Sequence, residues 1–117
     1  MIQEKLDILK ETNVINQAAY DYSQEALVYL KKKKVIKEDN EADVLITHLA
    51  MATARQNTDE KIDGVDDMIL SDIQSDENYD QAKKLWDELK TFAPAEFESN
   101  EEGYFHLHLV TLLREKQ

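Results

Sequence analysis

A chain of 117 residues without cysteine is of single-domain length, and it has no disulfide framework, thiolate nucleophile or cysteine metal site. Its 25 acidic and 14 basic side chains leave a formal charge of −11, which repels phosphate backbones and argues against direct nucleic-acid binding. No apolar run is long enough for a signal peptide or a membrane span, so a cytoplasmic protein without membrane attachment is expected.

Two glycines and one proline, with abundant Ala, Leu, Glu, Lys and Gln and no strand-like alternation, predict an all-α chain. Ile2, Leu6 and Leu9 begin an apolar stripe near residue 3. Ile15, Ala18, Ala19, Tyr22, Ala26, Tyr29 and Leu30 carry a similar rhythm onward, with or without a break near Asn13. The run Lys31–Lys34 reads as a solvated helix end, where cations complement the helix dipole. Residues 1–34 hold five acids and six bases, so the negative charge is concentrated in the remainder.

Asp39 or Asn40 is expected to cap a second helix, whose stripe is Ala42, Leu45, Ile46 and Leu49 and whose end falls near Gln56. "NTDEKIDG" reads as a loop. Val65, Met68, Ile69 and Ile73 suggest a short third helix. Ser75 or Asp76 would cap a fourth, burying Tyr79, Ala82, Leu85, Trp86 and Leu89. Ser99 and Glu102 have the spacing of a capping box for a last helix running to about Glu115. The expectation is one domain over residues 1–117, a bundle of about five helices, the first of them open to division.

Two helices carry histidines. His48 lies about 100° from the centre of the second helix's stripe, with Ala52 and Arg55 on the same flank. Helical side chains lean toward the N-terminus, so Arg55 leans over Ala52 toward His48, an arrangement able to hold an anion. The last helix is apolar almost all round apart from a strip of Glu101, Tyr104, His108 and Thr111. His108 leans toward Tyr104, while His106 projects from nearly the opposite side. Gly103 inside this helix suggests a close helix crossing. On spacing alone, each of these residues more often has a structural role.

Other chemistries fit less well. His106 and His108 diverge, which disfavours a zinc site. The stretch from Asp76 lacks the turn glycine of a calcium loop. Neither a glycine-rich phosphate loop nor a serine–histidine–acid grouping stands out. No cofactor or metal is expected, and the chain does not read as an enzyme.

"HLAMATAR", with His48, Leu49, Ala52 and Arg55, resembles the first histidine motif of the phosphotransferase-system regulation domain, or PRD. "EEGYFHLH", with Glu101, Gly103, Tyr104 and His108, resembles the second. Two departures are visible: Glu102 stands where an apolar residue is usual, and no Asn-Pro pair follows Arg55. The resemblance covers roughly residues 5–115 and points to a stand-alone single-PRD protein related to modules of bacterial transcriptional antiterminators and activators.

What the resemblance implies is regulatory. His48 and His108 would accept phosphoryl groups from the phosphocarrier protein HPr or an enzyme II B component. Arg55, Tyr104 and Glu101 would stabilise the phosphate or orient the imidazoles. Phosphorylation would control a transcription-related partner or a homodimer contact. The alternative is a PRD-fold interaction module that is not phosphorylated.

Overall fold

The computed structural model describes residues 1–56 and 58–115. Its described residues form six α-helices and no strand: α1 (Ile2–Glu11), α2 (Gln17–Lys32), α3 (Asp43–Arg55), α4 (Asp67–Gln74), α5 (Tyr79–Leu89) and α6 (Ser99–Arg114). The all-α expectation holds, and the first expected helix is two. Asn13 breaks it in the left-handed region at φ 62°, and Asn16 restarts it by accepting the Ala19 N–H at 2.9 Å.

α2 buries Ala19, Tyr22, Ser23, Ala26, Leu27, Tyr29 and Leu30 along one face. Ala18, expected in that stripe, is exposed. It sits in the first turn, ahead of the packed seam. At its other end α2 closes through Lys34, again left-handed at φ 62°, with the Val35 N–H donating to the Leu30 carbonyl at 2.9 Å.

The cap before α3 differs from expectation. A short 3₁₀ turn spans Asp39–Ala42, and its capping box uses Glu38 and Glu41. Asp39 instead pairs with Lys31 at 2.8 Å, and Asn40 accepts the Ile2 N–H at 2.8 Å. Both predicted caps are thus recruited by distant parts of the chain, and they pin α1 and α2 to the entry of α3. The box expected at Ser99 and Glu102 does not form either. Glu98 holds the N-cap position of α6, and Glu102 accepts the Trp86 indole N–H at 2.7 Å. A buried indole N–H needs an acceptor, and this one outcompetes the local backbone.

α4 exists as expected, but of its stripe only Ile73 is buried; Met68 and Ile69 are exposed on this two-turn helix. Asp76 does not cap the next helix directly. It accepts the Asn78 N–H at 2.7 Å, pairs with Arg114, and so ties the start of α5 to the end of α6. Gly103 lies where the segment entering α4 packs on α6. A Cβ there would meet a Val65 methyl at 3.2 Å, so the glycine admits the segment leading into α4.

The core runs between the α2–α3 and α5–α6 pairs. Trp86, Tyr22 and Phe105 are its largest fully buried side chains. The Tyr22 hydroxyl donates to the Leu89 carbonyl at 2.8 Å, joining α2 to the end of α5. Trp86 stacks on Phe105 at 4.4 Å between ring centroids. Asn57, the first residue of the expected loop after α3, and residues 116 and 117 lie outside the described residues.

Candidate functional site

α3 and α6 meet in opposing senses. The later residue of α3, Arg55, reaches Glu101 early in α6, while His48 reaches His108 two turns further along. The period of 3.6 residues brings His48, Ala52 and Arg55 onto one flank of α3. It does the same for Glu101 and His108 on α6. Glu101, Tyr104 and His108 of the polar strip of α6 therefore face the polar flank of α3, while Thr111 at its end is exposed.

Four side chains form one continuous chain of contacts. Arg55 grips Glu101 through Nη2, at 3.2 Å and 3.0 Å from its two oxygens, and through Nε at 3.3 Å. Glu101 Oε1 lies 3.2 Å from His48 Nε2. His48 Nδ1 lies 3.0 Å from His108 Nε2. Side-chain exposure is 21% for Arg55, 18% for His48 and 11% for Glu101, so the chain is largely shielded from solvent. Such shielding strengthens each contact and raises the cost of leaving any of them unpaired.

The partners fix the protons. A carboxylate accepts only, so His48 Nε2 carries a hydrogen and donates it to Glu101. In a neutral His48 the Nδ1 atom then bears a lone pair, and His108 Nε2–H donates to it. Burial lowers the His48 pKa below the usual histidine value and outweighs the opposing pull of Glu101; Arg55 lowers it further. Burial pushes His108 down to about 4, with the neighbouring His48 acting in the same direction. Both rings are therefore neutral at physiological pH, the state in which an imidazole nitrogen is a nucleophile.

A pH dependence follows. The unfolded chain binds protons near pH 6.5 that folded His108 refuses until about pH 4. Stability is then fully present above pH 6.5 and falls as pH drops through this window. The loss from His108 should be on the order of 2–3 kcal/mol at pH 4. Asp39, Asp43 and Asp76, whose pKa values are lowered by their hydrogen bonds, add their losses only below the ordinary aspartate range. Urea denaturation between pH 4.5 and 7 should show the histidine slope, and His108→Gln should reduce it to what His48 and His106, both also lowered by burial, contribute.

Aromatic rings hold His48 in place. Phe105 lies 5.0 Å from it and Tyr104 5.5 Å, both between ring centroids. Tyr104, expected beside His108, thus presents its ring to His48. His106 is on the other side of α6 against Tyr79, at 5.8 Å, and takes no part in the pair. Phe105 and Lys61 were not anticipated. Phe105 could have been found one turn after Glu101. Lys61 lies in a segment with no periodicity to mark it.

The site opens on one side. A hollow of about 660 Å³ has His48, Arg55, Lys61, Asp63 and Tyr104 among its lining residues, so two cations and one carboxylate share its wall with the imidazole. A smaller hollow of about 120 Å³ lies beside it, bordered by Ala52, Arg55, Lys61, Asn100 and Glu101. His108 lines a separate depression with Val44, Leu45 and Leu112. Among the described residues, no group of three or more His, Asp or Glu side chains could hold a metal ion. No described helix is long and apolar enough to cross a membrane. Comparison of the chain with family models, with curated proteins and with solved structures found no match.

Proposed function

We propose that the protein is a cytoplasmic phosphoacceptor module of the bacterial sugar phosphotransferase system, resembling a stand-alone PRD. The observation that carries this reading is the contact chain from Arg55 through Glu101 and His48 to His108. It joins the two motif halves and presents the neutral His48 imidazole at a hollow also lined by Arg55 and Lys61. In phosphoryl transfer the protein contributes mainly positioning and charge stabilisation, and these residue types supply both. HPr or an enzyme II B component would be the donor. Each phosphoryl group adds nearly two negative charges, enough to make or break a homodimer or partner contact. The module is a substrate of the relay and not itself an enzyme.

The test is intact-mass spectrometry at neutral pH after incubation with the reconstituted relay. Wild type should gain an acid-labile phosphoryl adduct, lost in His48→Gln or in His108→Gln, with folding of each variant checked by circular dichroism. One observation favours a second reading, an interaction module without phosphorylation: both ring nitrogens of His48 are already engaged. No adduct under conditions that modify an established PRD would select it.

A further inference from the structure

We infer that His48 Nε2 and the Arg55 guanidinium form an oxyanion seat already filled by the protein's own Glu101 carboxylate, which a phosphoryl group must displace. The inference rests on the phosphoacceptor reading for its biological sense, but the seat itself rests on geometry. Glu101 occupies the place where an anion would take the His48 Nε2 proton and the Arg55 guanidinium together. Arg55 offers Nε and Nη2 to that carboxylate, the fork that recognises carboxylate and phosphate alike. Lys61 supplies a second cation to the hollow that His48 lines, and it pairs with the exposed Glu98 at 2.5 Å.

Glu101 and a phosphoryl group on Nε2 cannot share the seat. The carboxylate oxygen already lies at hydrogen-bond distance from the nitrogen that would bear phosphorus. Two anions at that separation repel strongly in a partly shielded site. The adjoining smaller hollow, bordered by Glu101 itself, gives the displaced side chain room beside the donors Asn100 and Lys61, although Glu60, Glu96 and Glu98 also line it. Modification at Nε2 then proceeds as an exchange. The ring first changes tautomer: Nε2 gives its proton to Glu101 or solvent and Nδ1 takes one up, which frees the Nε2 lone pair for the attack. The His48 Nε2–P bond forms as the donor's N–P bond breaks. The donor nitrogen leaves with its electron pair, and Arg55 moves from carboxylate to phosphoryl oxygens. Unmodified protein is held closed by an internal competitor, and modification frees one end of α6 from α3. His48 thereby exchanges one anion for another, rather than adding a charge to an empty site.

Glu101→Gln keeps the shape and removes the competing charge. With potassium phosphoramidate as donor, whose P–N bond breaks to release ammonia, the variant should reach an adduct yield or lifetime roughly tenfold or more above wild type. Inorganic phosphate should perturb the ¹⁵N resonances of the His48 ring and the Arg55 Nε in Glu101→Gln. It should leave wild type unchanged at the same concentration, and Arg55→Met in the variant background should abolish the gain. Equal or weaker phosphate binding and adduct formation in Glu101→Gln would overturn the seat, whatever wild type does. Phosphate binding gained without any adduct in either protein would uphold the seat and remove the phosphoacceptor reading. If Glu101→Gln fails to fold, wild type suffices. Its Arg55 Nε resonance must shift when the adduct forms at His48, and an adduct that leaves it unmoved overturns the inference.

Discussion

Arg55→Ala should lower the free energy of unfolding by about 2–4 kcal/mol, toward the lower part of the range for a severed buried ion pair. The reason is what remains behind. Glu101 keeps its 11% exposed side chain but loses all three guanidinium contacts, and a neutral imidazole is its one remaining partner in that chain. The lost attraction matters less than the carboxylate left in a shielded place. Arg55→Met combined with Glu101→Gln should therefore recover much of the loss, although two polar groups are gone. Urea denaturation of the single and double variants measures this. His48 provides a second readout: removing the Arg55 charge, which lowers its pKa, should raise the midpoint of its ring titration by NMR. A loss of under about 0.5 kcal/mol, the usual span for surface substitutions, would mean the pair is solvated.

Trp86→Ala should cost about 3–5 kcal/mol, the range for truncating a buried aromatic. A domain of this kind is stable by about 5–15 kcal/mol in total, so the variant should melt far earlier and expose its core. Trp86 is fully buried, stacks on Phe105 at 4.4 Å, approaches Phe97 at 5.5 Å, and satisfies its indole N–H with Glu102. Phe105 in turn supports His48, so damage at Trp86 should reach the site two rings away. Trp86→Phe keeps most of the volume and should cost only about 1–2 kcal/mol, through the lost indole hydrogen bond and ring contact, since Glu102 keeps Lys90 at 3.8 Å. Circular dichroism is the proper probe, because Trp86 is the sole tryptophan.

The helices were legible wherever burial has the helical period. Ala82, Leu85, Trp86 and Leu89 on α5 and Leu45, Ile46 and Leu49 on α3 are buried as their spacing implies. Caps were less legible, since a capping residue is chosen by competition. Asp39, Asn40 and Glu102 all have local capping chemistry, yet each is taken by a partner elsewhere: Lys31, the Ile2 N–H and the Trp86 indole. The exposure of Met68 and Ile69 could not be read either, because an apolar stripe does not reveal whether a neighbour covers it.

At the site, the common flank of His48 and Arg55 was visible on a helical wheel, as was the room for an anion between them. That the anion is Glu101 depends on how α6 crosses α3, which no local pattern encodes. The same crossing brings His48 and His108 to 3.0 Å although they lie 60 positions apart. Periodicity assigns a residue to a face. It does not say which face meets which, or in what register.

The contact chain also bears on how such a sequence can drift through descent. Arg55, Glu101, His48 and His108 depend on one another for shielded charge and shared protons. Whatever the site is used for, a lineage would lose stability on altering any one of them, and escape would require coordinated double changes. The two histidine motifs are therefore under a folding constraint of their own, and their persistence in a related chain would measure the integrity of the α3–α6 junction before it measured the survival of a regulatory role.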